Sequence, residues 1–153
     1  MFKLVISILI CQFAGIIGGL FTRYSIPVWY ESLKKPFFIP PNWLFGPVWA
    51  VLYTMMGIAV YTIWRKGLRT DGIKSALEIF IFQLILNSLW PVVFFGGRSI
   101  AGGMIIIVFL WLAIVWTMRV FFNLSKTAFL LLVPYILWVS FALVLNLSFV
   151  ILN

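Results

Sequence analysis

Hydrophobic residues form long unbroken runs along this chain, and charged residues stand between the runs rather than inside them. A helix that crosses a bilayer needs about 20 mainly apolar residues. Five stretches reach that length, over residues 4–22, 44–64, 76–95, 100–118 and 128–152. The pattern predicts an all-α integral membrane protein, in which residues 1–153 form a single transmembrane domain, a bundle of five transmembrane helices.

A membrane β-barrel and a cleaved secretory signal both fit the hydrophobic runs less well. Strands of a membrane β-barrel are segments of about ten residues in which polar and apolar positions alternate, whereas residues 104–110 are apolar throughout. The first run follows Lys3, as in a secretory signal, but no Ala-x-Ala cleavage site closes it. It also exceeds the usual apolar length of about 7–15 residues. We therefore predict a retained first helix.

The composition excludes a soluble enzyme. Of the 153 residues, 65% are hydrophobic and 9% are charged, whereas a soluble domain carries about 25% charged residues. The 11 basic and three acidic residues give a net charge of +8. Proteins that bind nucleic acid cluster such cations on an exposed face. Here the cations flank the apolar runs, so no nucleic-acid partner is expected.

An odd number of spans places the two termini on opposite sides of the membrane. The N-terminal side collects seven basic residues, which are Lys3, Arg65, Lys66, Arg69, Lys74, Arg119 and Lys126. The other side, called the loop side because it carries the long first connection, has Arg23, Lys34, Lys35 and Arg98. Since cytoplasmic loops carry the excess of Lys and Arg, the N-terminus is predicted to be cytoplasmic.

Most familiar catalytic groups are missing from the chain. There is no His, and therefore no imidazole base and no His ligand for zinc or haem, so no metal site is predicted. The single Cys11 lies inside an apolar run and cannot form an internal disulfide. The three acids, Glu31, Asp71 and Glu78, form no evident pair for acid–base catalysis.

Three spans carry aromatic, amide or small residues one helical turn apart, between mid-membrane and the loop side. These residues are Trp49 and Tyr53, Asn87 and Trp90, and Trp138, Ala142 and Asn146. Polar residues inside spans tend to face the bundle interior, so we predict one aromatic pocket with two amides that orient a ligand. The alternative is that the amides only form hydrogen bonds between helices, and the sequence leaves both open.

The connection over residues 23–43 is long, stiff and aromatic. It carries four prolines together with Trp, Tyr and Phe residues. One interpretation is a belt of aromatic residues at the lipid headgroups. The other is a lid folded over the end of the bundle, since long loops are often functional. The two interpretations are compatible.

Seven motifs lie in order along almost the whole chain. They are Trp29–Leu33 (WYESL), Lys35–Trp43 (KPFFIPPNW), Phe45–Trp49 (FGPVW), Leu52–Gly57 (LYTMMG), Gln83–Pro91 (QLILNSLWP), Phe94–Arg98 (FFGGR) and Pro134–Asn146 (PYILWVSFALVLN). Together they resemble the family of tryptophan-rich sensory proteins, also called translocator proteins or peripheral-type benzodiazepine receptors.

The resemblance implies a membrane receptor or sensor built as a five-helix bundle, forming a homodimer in many members. It implies a pocket under the first loop for tetrapyrroles such as protoporphyrin IX and for isoquinoline carboxamide or benzodiazepine-type drugs, with no required cofactor. By motif, the pocket residues are Trp49, Asn87, Trp90, Trp138, Phe141 and Ala142. Some bacterial members promote light- and oxygen-dependent breakdown of the porphyrin with the help of tryptophans in the pocket. The resemblance implies this catalytic role for Trp49 and Trp138.

The chain departs from the animal members of this family in two ways. No basic residue follows Lys126, so the cholesterol-recognition pattern at their C-terminus is absent and sterol binding is doubtful. Phe38 and Ile39 stand where many of them have Trp and His. With no targeting extension, the resemblance points to a bacterial cell membrane.

The pocket hypothesis leads to a specific arrangement of a porphyrin. Its faces would pack on Trp and Phe, and Asn87 or Asn146 would contact a pyrrole nitrogen or a propionate. The propionates are expected near Arg23, Lys34 or Lys35, and a metal-free porphyrin fits a chain without His better than haem does. The alternatives are a carrier of porphyrins or other lipophilic molecules, and a structural protein without a ligand. No internal repeat or buried charged pathway supports transport.

Overall fold

The computed structural model describes residues 1–153 and consists of five long helices joined by a long first connection, residues 26–41, and three shorter ones, with no strand. The helices are α1 (Phe2–Ser25), α2 (Asn42–Trp64), α3 (Ile73–Pro91), α4 (Ile100–Leu124) and α5 (Lys126–Leu152). A 3₁₀ turn (Tyr30–Ser32) interrupts the first connection, and a π-helical turn (Val92–Gly96) continues α3 beyond Pro91. All five helices are long and apolar enough to cross a membrane, which confirms the predicted all-α membrane fold.

Local chemistry explains where the helices begin and end. The side chain of Ser99 accepts a hydrogen bond from the Gly102 amide at 2.9 Å and so caps the start of α4. Ser125 alone separates α4 from α5, and it caps α5 in the same way. Helix α4 continues six residues beyond the predicted span of 100–118, since the apolar run resumes after Arg119 and Phe121 is fully buried.

The helices form a closed ring in the order α1, α2, α5, α4, α3, with α3 returning to α1. Glycines allow α1 to approach its neighbours closely. A Cβ atom at Gly57 would lie 2.6 Å from the Ile8 Cα atom, and one at Gly18 would lie 2.6 Å from Pro91 Cγ. Such close backbone approach is typical of helices that associate in a membrane.

The two halves of the bundle are packed differently. The half on the N-terminal side has a continuous apolar core in which, for example, the rings of Phe80 and Phe121 stack with centroids 6.0 Å apart. On the loop side, a smaller aromatic cluster formed by Tyr30, Phe94, Phe95, Leu145 and Phe149 closes the end of the bundle. The space between the core and this cluster holds the cavity described below.

The outer surface is strongly apolar, as expected for contact with lipid. Large side chains such as Phe13, Ile85, Phe109 and Trp116 are mostly exposed on α1, α3 and α4. A protein in water rarely exposes so many contiguous apolar residues. Together with the five long helices, this surface identifies a multi-pass membrane protein.

The first connection has one part that packs on the bundle and another that is exposed. Trp29 packs edge-on against Phe94 and Tyr30 is buried against Phe95, so this part of the connection covers the end of the bundle. Phe37 and Trp43 are exposed instead, as residues of an interfacial belt would be.

Candidate functional site

A cavity of about 410 Å³ lies in the loop-side half of the bundle, between α1, α2, α3 and α5. Ligand pockets in proteins span roughly 300–1,000 Å³ and combine apolar walls with a few polar groups. This cavity fits that description, because its wall is mainly apolar, nine of its 25 lining residues are aromatic, and amide and hydroxyl groups are fewer. Helix α4 contributes no residue to it. We call it the aromatic cavity.

Seven of the eight residues predicted as ligand-binding line the aromatic cavity. They are Trp49, Tyr53, Asn87, Trp90, Trp138, Ala142 and Asn146. The eighth, Phe141, lies outside the lining and packs against Phe38 of the first connection and against Trp138, at centroid distances of 6.2 and 5.5 Å. Phe141 therefore links the wall of the cavity to the loop that covers it, because its place on α5 faces that loop rather than the cavity.

A chain of four buried polar side chains lies at the inner end of the aromatic cavity. The Tyr53 hydroxyl donates a hydrogen bond to Asn87 Oδ1, and Asn87 Nδ2 donates to the Tyr135 hydroxyl at 2.8 Å. The Tyr135 hydroxyl in turn donates to Gln83 Oε1 at 2.7 Å. These bonds join α2, α3 and α5 and hold the Asn87 amide in one orientation.

The second amide is held in a similar way. Trp90 Nε1 donates to Asn146 Oδ1 at 3.0 Å, and Asn146 Nδ2 donates to the Ile100 carbonyl at 3.2 Å. Each amide therefore forms interhelical hydrogen bonds and also lines the cavity, so the two sequence interpretations describe the same residues. Each NH₂ group has one further N–H to donate.

Three indole rings stand around the cavity, each fixed by a neighbouring ring. Trp49 stacks on Tyr53 with centroids 5.4 Å apart, and Trp90 stacks on Phe94 at 5.2 Å. Trp138 meets Phe45 edge-to-face at 6.0 Å. Because such contacts hold the rings in place, the cavity presents preformed aromatic surfaces to a flat molecule.

The aromatic cavity opens between α1 and α2. Its lining includes exposed residues on both helices, among them Gly19 and Arg23 of α1 and Gly46 and Ala50 of α2. A Cβ atom placed on Gly19 or Gly46 would meet no atom within 4 Å. These two glycines thus mark open space at the edge of the cavity.

Arg23 is the only charged residue that lines the aromatic cavity. Lys35 is engaged elsewhere, with Nζ 3.8 Å from Glu31 Oε2 and 5.1 Å from the centre of the Tyr30 ring. Lys34 is held through its backbone by the side chain of Asn153. Of the three cations expected near a ligand carboxylate, the fold brings Arg23 alone to the cavity.

Tyr30 belongs to the first connection and closes the loop-side end of the cavity. Burial, with a smaller effect of the neighbouring Glu31 carboxylate, raises the pKa of Tyr30 above its ordinary value. The phenol is therefore neutral at physiological pH. It contributes an aromatic surface and a hydroxyl, without charge, at this end of the cavity.

Sequence reasoning missed two contributions to the site. Helix α1 provides a whole wall, including Gln12, Gly15 and Thr22, although it carries none of the aromatic motifs. Tyr135 fixes Asn87 from outside the lining. The spacing of the glycines in α1 could have indicated the wall formed by this helix. The position of Tyr135 one turn before Trp138 could have indicated its place next to the site. No group of three or more His, Cys, Asp or Glu side chains that could hold a metal ion is present.

Comparison with known proteins gives consistent results. The sequence model of a family described as "TspO/MBR family" matches residues 7–152. The chain is 42% identical to the tryptophan-rich protein TspO of Archaeoglobus fulgidus over 151 residues, covering 99% of this chain and 97% of the relative. It is 36% identical to the tryptophan-rich sensory protein of Cereibacter sphaeroides over 125 residues, which cover 82% and 77% of the two chains. It is also 36% identical to the human translocator protein over 131 residues, covering 85% and 78%.

Proposed function

Because the chain belongs to the TspO/MBR family, we propose that it is a membrane receptor that binds a tetrapyrrole such as protoporphyrin IX in the aromatic cavity. The observation that carries this proposal is the meeting of Trp49, Trp90 and Trp138 around one space of about 410 Å³ with a single charged group. Isoquinoline carboxamide and benzodiazepine-type molecules, which are also flat and lipophilic, are proposed as ligands of the same cavity.

The chemistry of a porphyrin matches the composition of the cavity. The macrocycle has two large apolar faces, which suit the preformed indole surfaces. Its two propionates are anionic, and Arg23 lies at the edge of the cavity where they would point towards water. The lining offers no His and not the single Cys11, so a metal-free ring suits it better than haem.

The shape of the cavity favours binding over transport. Its lining residues belong to the middle and loop-side parts of α1, α2, α3 and α5, to the π-helical turn and to the first connection. Beyond its inner end, the Tyr53–Asn87–Tyr135–Gln83 chain and the apolar core fill the bundle. A carrier would need a path through this packed half, and we therefore keep transport as the alternative.

A second candidate activity is breakdown of the bound porphyrin in light and air. It is favoured by the position of Trp49 and Trp138, which both line the aromatic cavity. The porphyrin would absorb the light, molecular oxygen would be the oxidant, and the chain would supply orientation and oxidisable indoles close to the ring.

We further propose that the protein lies in a bacterial cell membrane with its N-terminus in the cytoplasm and that it forms a homodimer. The single cysteine, Cys11, is buried, so introduced cysteines can be labelled selectively. A membrane-impermeant thiol reagent should label Ser32→Cys from outside intact cells and leave Ser125→Cys unlabelled. The opposite labelling pattern would reverse the proposed orientation.

The test of function is a titration of the purified protein with protoporphyrin IX, followed by absorption and by quenching of Trp fluorescence. Saturable micromolar binding is expected for the wild type and weaker binding for Trp138→Phe. Trp116→Phe is the matched control, because Trp116 is 61% exposed on the lipid-facing surface of α4. A wild type that shows no saturable binding would overturn the receptor proposal.

The same samples test the photochemistry under light and in air. Loss of the porphyrin bands that depends on the wild-type protein and is slower in Trp138→Phe would support breakdown. Bands that shift on binding but persist would remove the enzymatic part and leave a receptor. Uptake by proteoliposomes along a porphyrin gradient is the corresponding test of the carrier.

A further inference from the structure

A second cavity, of about 380 Å³, lies at the loop-side end of α1 on the outer surface of the bundle. We call it the rim cavity. Its apolar wall comprises Leu20, Phe21 and Phe95, and its polar residues are Tyr24, Ser25 and Arg98. No acidic residue lines it. It is separate from the aromatic cavity, although Phe95 lines both.

Ser25 lines the rim cavity and carries a hydroxyl group that is not used in any hydrogen bond of the protein. The residue is 4% exposed, and its Oγ atom has no hydrogen-bond partner in the protein. Thr22, one turn earlier on α1, does have one, because its Oγ1 donates to the Gly18 carbonyl at 2.9 Å. A buried hydroxyl without a partner is unfavourable, and this one lines a cavity in which a ligand could satisfy it.

Arg98 provides an unpaired positive charge at the same cavity. The only ion pair in the protein joins Lys35 and Glu31, so the Arg98 guanidinium has no carboxylate partner. Its backbone φ is 51°, a left-handed conformation that glycine adopts readily and a residue such as arginine adopts rarely. Strained positions of this kind often serve a functional constraint, and the chain keeps Arg98 here between Gly97 and Ser99.

We propose that the rim cavity binds the headgroup of an anionic phospholipid. The Arg98 guanidinium pairs with the phosphate, and the Ser25 hydroxyl donates a hydrogen bond to a phosphate oxygen. One acyl chain lies along Leu20 and Phe21, which are half-exposed on the lipid side of α1. The end of α1 at Ser25 sets the headgroup at the level where a spanning helix leaves the hydrocarbon.

The charges in and around the cavity favour an anionic lipid over a zwitterionic one. The lining carries the positive charge of Arg98 and no carboxylate, so it offers a counter-ion to a phosphate but none to a choline or ethanolamine group. The apolar wall favours a lipid over free phosphate, because a soluble anion would leave Leu20, Phe21 and Phe95 without a contact.

Native mass spectrometry of the protein released from detergent micelles tests the proposal. The protein is mixed with equal amounts of phosphatidylglycerol and phosphatidylcholine that carry the same acyl chains, and the retained lipid is counted. The wild type should retain one phosphatidylglycerol with a preference of at least about fivefold. Arg98→Gln should lose this preference, and Ser25→Ala should reduce it. Millimolar inorganic phosphate should not displace the lipid.

Lys34→Gln is the matched control, since it removes a positive charge on the same side of the membrane from a residue that lines neither cavity. Circular dichroism and the melting midpoint show whether each variant is folded. Equal retention of the two lipids by the wild type would overturn the proposal. So would a preference that survives Arg98→Gln in a folded protein, an equal loss in Lys34→Gln, or displacement by free phosphate.

Discussion

The hydroxyl of Tyr135 accepts a hydrogen bond from Asn87 Nδ2 across 2.8 Å. Asn87 lines the aromatic cavity, whereas Tyr135 is fully buried behind it. A residue that a ligand would not touch therefore sets the direction in which the amide at the cavity wall points. The same hydroxyl also donates to Gln83, so its removal breaks two hydrogen bonds at once.

Tyr135→Phe should therefore lower both stability and ligand affinity. The change leaves the Asn87 NH₂ group and Gln83 Oε1 without their shared partner, and an unpaired buried polar group costs about 1–3 kcal/mol. We expect a lower melting midpoint in detergent and weaker protoporphyrin binding. Tyr61→Phe is the control, because the Tyr61 hydroxyl makes no side-chain hydrogen bond. Equal midpoints for the two variants would contradict the role given to Tyr135.

Ala142→Leu should block the aromatic cavity. Ala142 lines it from α5 between Trp138 and Asn146, so the larger side chain extends into the space that a ligand needs. We expect porphyrin affinity to fall by about tenfold or more, equivalent to about 1.4 kcal/mol, with little change in the melting midpoint. Titration of Ala101→Leu, on the exposed side of α4, gives the baseline. Undiminished affinity in Ala142→Leu would place the ligand elsewhere.

Gly46→Leu should slow the association of a ligand without destabilising the fold. A side chain at Gly46 starts in open space at the gap between α1 and α2, so it obstructs the opening rather than the core. Stopped-flow quenching of Trp fluorescence measures the rate. Gly18→Leu is the contrasting variant, because its side chain would collide with Pro91 and lower the melting midpoint. An unchanged association rate in Gly46→Leu would argue for another route to the cavity.

Arg23→Gln should remove discrimination between charged and uncharged porphyrins. Arg23 is the only charged group of the cavity lining, so the wild type should bind protoporphyrin IX more tightly than its dimethyl ester. A charge-assisted hydrogen bond at an exposed edge predicts a difference of roughly three- to tenfold. Arg23→Gln should bind both compounds equally, whereas Lys34→Gln should keep the preference. If Arg23→Gln keeps it as well, the propionates do not reach Arg23.

The sequence was sufficient to predict the five helices and most of the named residues that line one cavity. Long apolar runs have few alternatives to spanning helices, and turn-by-turn spacing placed Trp49 with Tyr53 and Asn87 with Trp90 on common faces. Seven of the eight predicted residues line the cavity for this reason. The exception, Phe141, shares a helix with Trp138 but faces the first connection.

The wall formed by α1 and the role of Tyr135 could not be predicted in the same way. Periodicity shows which residues share a face of a helix, but it does not show which neighbour that face meets. The Tyr53 ring packs directly against Gly15, so this position must be small. No atom lies close to Gly19, so that position marks the open edge of the cavity. Neither fact can be deduced from the spacing of the glycines. Likewise, Tyr135 becomes important only once Asn87 of α3 lies within hydrogen-bonding distance.

Helix α4 lines neither cavity, although it packs along both α3 and α5. Substitutions on its outward face, which includes Phe109 and Trp116, can therefore accumulate during evolution without altering the lining of either cavity. This face can adapt to bilayers of different thickness or acquire contacts with another protein while both cavities keep their shape. Relatives with unlike fourth helices can thus be expected to share the same recognition chemistry.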